Sequence, residues 1–169
     1  MKSYHAHIVH DETIKQQILK NQMIVDETLN LRSNSHIKEA VTFFTKFFSD
    51  GRNCKDLIKA ICRIDSELGD RLADELGYVN IRPGVAQVHI HHVKRDEMIA
   101  AKGKLENPLL EKEYIGFVNA LTPQHAWMKS QNITTSWNNG VRSTHIGDFL
   151  QFPEAYYMVK GEGFKIILG

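Results

Sequence analysis

The chain has 169 residues, 42% of them hydrophobic and 24% charged, which is the composition of a folded domain and excludes a disordered chain. Its 21 Lys and Arg nearly balance 20 Asp and Glu, for a formal net charge of +1, which argues against a broad nucleic-acid surface and leaves only local basic residues such as Lys94, Arg95, Lys102 and Lys104 for that role. No apolar run approaches the roughly 20 residues that span a bilayer, and "MKSYHAHIVHDE" has histidines and acids where a signal peptide places its apolar segment, so no membrane association and a cytosolic location are expected.

Residues 3–9, "SYHAHIV", alternate: Tyr4, Ala6 and Ile8 point one way and Ser3, His5 and His7 the other, the pattern of a half-buried strand. "DETIKQQILKNQMIVDETL" follows with Ile14, Ile18, Leu19 and Met23 near helical spacing. "SHIKEAVTFFTKFF" reads as a helix with one broad apolar face, from Ile37 to Phe48, and Ser35 to cap it. "SDGRN" is expected to break the chain. "CKDLIKAICRIDSELGDRLADEL" then reads as the next helix, with Leu57, Ile58, Ile61, Leu68, Leu72 and Leu76 inward and Gly77 just past its end. Its two thiols, Cys54 and Cys62, lie eight positions apart, roughly 12 Å along a helix, too far for a disulfide and wrongly spaced for a zinc knuckle. Buried, reduced cysteines are expected.

"RPG" at 82–84 marks a turn. Alternation returns with Ala86, Val88 and Ile90 on one face and Gln87, His89 and His91 on the other. "AAKGKLENP" reads as loop and "LLEKEYIGFVNAL" as helix. "TPQHAWMKSQN" is a second short helix, with Thr122 as N-cap and Pro123 at the first helical position. After the "NNG" turn, "DFLQF", "AYYMV" and "FKIIL" are strand candidates. The order of elements predicts an α+β fold in which helices pack on a small, mostly antiparallel sheet. Residues 1–80 would supply a strand and a helical layer, and 81–169 a mixed module sharing the same core.

Nine histidines include two His-x-His pairs, and imidazole is the commonest ligand for zinc, iron, copper and nickel. Side by side, the two strands would gather His5, His7, His89 and His91 as candidate ligands for a divalent transition metal, with Glu97 as a base. Alternatively these are solvent-facing positions of two half-buried strands, with no cofactor. The cupin pattern also has a His-x-His strand, but here the glycine spacing is off and tyrosines stand where its later histidine belongs. The 2H phosphoesterase pattern needs a hydroxyl two residues after each histidine, and neither pair has one. Phosphate loops, paired Cys-x-x-Cys, zincin helices and nucleophile elbows do not occur.

The stretch "SQNITTSWNNGVRSTHIGDFLQFPEAYYMVKGEGFKIIL", residues 130–168, is the most distinctive. Asn132, Ile133, Ser136 and Trp137, then Arg142, Ser143, Thr144, Gly147 and Asp148, then Tyr157, Val159, Gly163 and Phe164 form a pattern. It resembles a module of small bacteriophage and mobile-element proteins, in which "RSTSVGD" precedes a short strand, a turn, a "YxV" strand and a closing "GF". His145 and Ile146 stand where that pattern has Ser and Val, and Pro153–Glu154 where it has a glycine turn. The resemblance covers about forty of the 169 residues and carries no known activity. It implies a phage-encoded accessory protein in the host cytosol that binds a host protein, with Trp137, Asn138, Arg142 and His145 as candidate contact residues. A metal-dependent hydrolytic or oxidative enzyme is the alternative.

Overall fold

The computed structural model describes residues 51–132 and 141–167. The expected strand at 3–9, the helices at 11–29 and 35–48, and Trp137 and Asn138 lie outside the described residues. The elements in chain order are α1 (Gly51–Ile64), α2 (Ser66–Leu76), β1 (Ala86–Val93), α3 (Arg95–Ala101), β2 (Lys112–Ala120), α4 (Pro123–Lys129), β3 (Phe149–Gln151), β4 (Tyr156–Val159) and β5 (Phe164–Ile167). The strands form one sheet in the order β2-β1-β3-β4-β5, every pair antiparallel. Helices pack on this small antiparallel sheet, as the alternation of patterns predicted.

The long helix expected from Cys54 to Leu76 is two helices. Asp65 stands between them with its side chain accepting from the Leu68 amide at 3.1 Å, so it caps α2 instead of continuing α1. The helical hairpin closes tightly: a Cβ at Gly69 would overlap the Cys62 thiol and stand 2.9 Å from the Cys62 Cα. Gly77 ends α2 in the left-handed region, φ 79°, and the Tyr78 amide returns to the Ala73 carbonyl at 2.9 Å. Cys54 and Cys62 both lie on α1, free and buried, and burial pushes both thiols up from their ordinary pKa. The start of α1 at Gly51 falls within the stretch expected to break the chain.

The main core joins α1 and α2 to one sheet face through Leu57, Ile58, Ile61, Leu72, Val88, Ile90, Leu150 and Tyr157. Two polar ties cross it. Tyr157 Oη donates to the Ala60 carbonyl at 2.7 Å, satisfying a hydroxyl that has no exposed surface. Arg63, at the end of α1, pairs with Glu154 in the β3–β4 turn, donates to the Gly84 and Leu121 carbonyls, and lies 4.4 Å from the centre of the Phe152 ring.

Two differences from the sequence expectation concern the middle of the chain. "LLEKEYIGFVNAL" is the strand β2, not a helix. His89 pairs with Phe117 and Ile90 with Gly116, but His91 pairs with Tyr114, so Ile115 is an extra residue in β2. That bulge places Tyr114 and Phe117 three apart on one face, a spacing that imitates a helix. Helix α3 has no buried residue, so it leaves no apolar periodicity to detect.

Gly69→Ala should lower the urea midpoint. The usual helical gain from replacing glycine, about 1 kcal/mol, is outweighed by an overpacking cost of about 1–3 kcal/mol. Glu154→Ala should cost more, about 3–5 kcal/mol in the same measurement, because it strands a guanidinium that is 7% exposed.

Candidate functional site

The two faces of β1 receive different residues. Val88 and Ile90 face the helices, with His92 in the same alternation; His89 and His91 face the other way. That second face is not uniformly wet. Toward β3, β4 and β5 it is closed around Phe149, Tyr156, Met158 and Ile167, and His91 is 3% exposed, with Nε2 2.6 Å from Gln151 Oε1. The outward-facing account of His91 is therefore corrected: β1 is a central strand, and on the side of β3 and β4, which are buried on both faces, its second face is covered. Lys112 is also buried here. Its ammonium donates to the Pro108 and Leu110 carbonyls at 3.1 and 2.6 Å and lies 4.0 Å from the centre of the Phe149 ring, while burial lowers its pKa to about 7.

Toward β2 the same face opens. The rings of Tyr114 and His89 are 5.6 Å apart, Tyr114 and His91 also 5.6 Å, and His89 and Phe117 6.4 Å. Tyr114 and Phe117 are 49% and 51% exposed. The pairing of Gln87 with Asn119 extends the face, and Val85 and Leu121, one step beyond the Ala86–Ala120 pair, are exposed apolar residues at its end. These positions include no Asp, Glu, Lys or Arg. Of the proposed metal ligands, His89 and His91 share this face with Tyr114 beside both, and His5 and His7 lie outside the described residues. Among the described residues no group of three or more His, Cys, Asp or Glu is placed to hold a metal ion. Glu97 sits on α3, following the end of β1.

On the opposite face the Arg142–Asp148 segment folds around one carboxylate. Asp148, with no exposed surface, accepts at Oδ1 from the Val93 amide (2.8 Å) and Arg142 Nη2 (2.9 Å). Its Oδ2 accepts from Arg142 Nη1 (2.6 Å) and the His145 amide (2.7 Å). Arg142 also donates to the Ser143 and Val93 carbonyls. Ser143 Oγ accepts from the Asn132 amide at 2.8 Å, which joins the loop to the segment after α4. Gly147 has φ 91°, and a Cβ there would overlap the Leu105 carbonyl, so glycine is required on both counts.

His92 completes the cluster. Its Nε2 lies 3.0 Å from Thr144 Oγ1 and 3.8 Å from Asp148 Oδ2. Hydroxyl and carboxylate thus meet the same ring nitrogen, whereas a nucleophile relay needs them at opposite nitrogens. The geometry supports the loop; it does not activate Thr144. Burial lowers the His92 pKa to about 4, the nearby Asp148 opposing and Arg142 reinforcing that shift. The sequence carried the signal for this residue, since in "HIHHV" only the third histidine shares alternation with Val88 and Ile90. Of the expected contact residues, Arg142 is held in the cluster and His145 contributes its amide with its side chain exposed; Trp137 and Asn138 lie outside the described residues.

Stability should fall as pH drops from 6.5 toward 4. In that window the unfolded chain binds a proton at residue 92 that the folded chain refuses, so the contribution is complete above 6.5 and lost through the folded pKa near 4. The loss from this group is on the order of 3 kcal/mol, and His92→Asn should flatten the corresponding slope in denaturation curves measured across that range.

No helix among the described residues is long and apolar enough to cross a membrane. Compared with protein-family models, with curated proteins and with solved structures, the chain gives no match.

Proposed function

We propose that the chain is a small accessory protein of a bacteriophage or mobile element that acts by binding a protein of the host, and that the contact centres on the open face of β1 and β2. The observation that carries this reading is the half-exposed aromatic pair Tyr114 and Phe117, set among His89, Gln87, Asn119, Val85 and Leu121 without a formal charge. Cores of protein interfaces have this composition, with aromatic residues enriched and charged residues depleted. The face is carried by a paired strand, so the rings are held in place before a partner arrives and little ordering is needed on binding. The phage origin rests on the resemblance of residues 130–168 and on nothing else. Host takeover or suppression of a host defence is the role that such an accessory protein would serve.

The test is affinity capture from host lysate with the wild-type chain and with Phe117→Asp and Tyr114→Asp. A partner enriched by the wild type and held about 30-fold or more weakly by each variant is expected, since central aromatic anchors carry about 2 kcal/mol or more. A partner held equally by all three proteins would remove this face from the contact, and no enriched partner under gentle conditions would remove the binding reading itself.

A further inference from the structure

A second feature lies away from that face and does not depend on it. The loop built around Asp148, helix α4 and the β4–β5 hairpin enclose a cleft of 440 Å³, within the range of about 300–1,000 Å³ typical of small-molecule sites. Trp127 and Phe164, both packed at the margin of the main core, give it aromatic surface, and Ile146 adds an aliphatic side chain from the loop. Lys160 and His145 are its basic residues, and among the described residues lining it there is no Asp or Glu. Gln124 brings an amide to the rim from an exposed position on α4. Among the described residues Lys160 has no ion-pair partner, unlike Lys94, which is paired with Glu111.

The walls are fastened to one another. The Gln131 side-chain amide donates to the Trp127 carbonyl at 2.8 Å and to the Thr144 carbonyl at 3.1 Å, bridging the helix wall and the loop wall. The Thr144 amide donates to the Ser130 carbonyl at 3.1 Å. On the hairpin, Glu106 Oε1 accepts from the Gly161 amide at 2.8 Å, and Gly163 takes φ 77° so that the Lys160 amide can reach its carbonyl at 3.0 Å. A cleft braced on three sides keeps its shape without a ligand, which lowers the ordering cost of filling it. Aromatic surface and one lysine select a flat ring that bears an anionic group, the Glu106 carboxylate being already engaged by the Gly161 amide.

We infer that this cleft binds a small aromatic anion, a ring carrying a phosphate or carboxylate, of about the size of a nucleoside monophosphate. The ring would lie against Trp127 and Phe164, and the anion would take a charge-assisted hydrogen bond from Lys160.

The chain has two tryptophans, so Trp137→Phe leaves Trp127 as the sole indole reporter. Its fluorescence would be titrated with AMP, GMP, CMP and UMP, with adenosine and inorganic phosphate as the separated halves; calorimetry on the wild-type chain would check each result and measure binding of indole-3-acetate, which fluoresces itself. At least one aromatic anion should bind with a Kd below about 1 mM. Lys160→Ala should weaken that binding about tenfold or more with the circular dichroism spectrum unchanged. Saturation by a nucleotide or by the indole acid identifies which anion the cleft takes. Absence of binding by all five, binding by phosphate alone as tight as by any of them, or affinity unchanged in Lys160→Ala would each overturn the inference.

Discussion

A carboxylate with no exposed surface must find hydrogen bonds for both oxygens or give up its charge. At Asp148 they come from the end of β1, from the guanidinium six residues earlier and from the amide of His145. The next backbone bonds extend the tie: Gly147 donates to the Val159 carbonyl, and the Val159 amide donates to the Asp148 carbonyl. The Asp148 side chain thus ties the loop to the last residue of β1, and the backbone of Gly147 and Asp148 ties it to the last residue of β4. The cleft and the hairpin beside it inherit their geometry from that point, and His92 and Thr144 are brought together by it. Because Arg142 meets the carboxylate with both nitrogens, lysine could not replace it without losing the fork.

The sheet divides its second face between two environments. Around Phe149, Tyr156 and Met158 it is buried; there Lys112 donates to two carbonyls and His91 meets Gln151 through Nε2. Around Tyr114 and Phe117 it is half open. The transition runs along β1 itself, from the exposed Gln87 to the buried His91. The same strand therefore serves as core at one end and as support for a surface at the other.

Much of the frame was legible in the sequence. Gly77, Thr122 and Pro123 announced helix ends through their own chemistry, and the three closing strands followed from short aromatic and aliphatic runs between turns. Each of these signals is local. The misreadings came where distant residues decide. Asp65 could be read as another polar position on a helix until the close approach of Gly69 to Cys62 bends the chain back. His91 has the alternation of an outward residue, and only the strands 60 positions later cover it. The loop residues Arg142, Ser143, Thr144, Gly147 and Asp148 stood out as a pattern, and alternation placed His92 inward, but nothing joined the two, because no spacing links a strand to a loop fifty residues away.

The bulge at Ile115 has a consequence for how this chain tolerates change. In a regular strand, side chains alternate, and Tyr114 and Lys112 would fall on the face opposite Phe117. The extra residue reverses that parity, so all three share one side. Deleting Ile115 itself would leave a regular ladder with all three still on one side, whereas deleting Glu113 would turn the Lys112 ammonium toward the apolar layer beneath the helices. Insertions and deletions should therefore be far less tolerated at the paired positions of β2 than at Ile115 or in the 103–111 connection before the strand, where length changes without exchanging one face for the other.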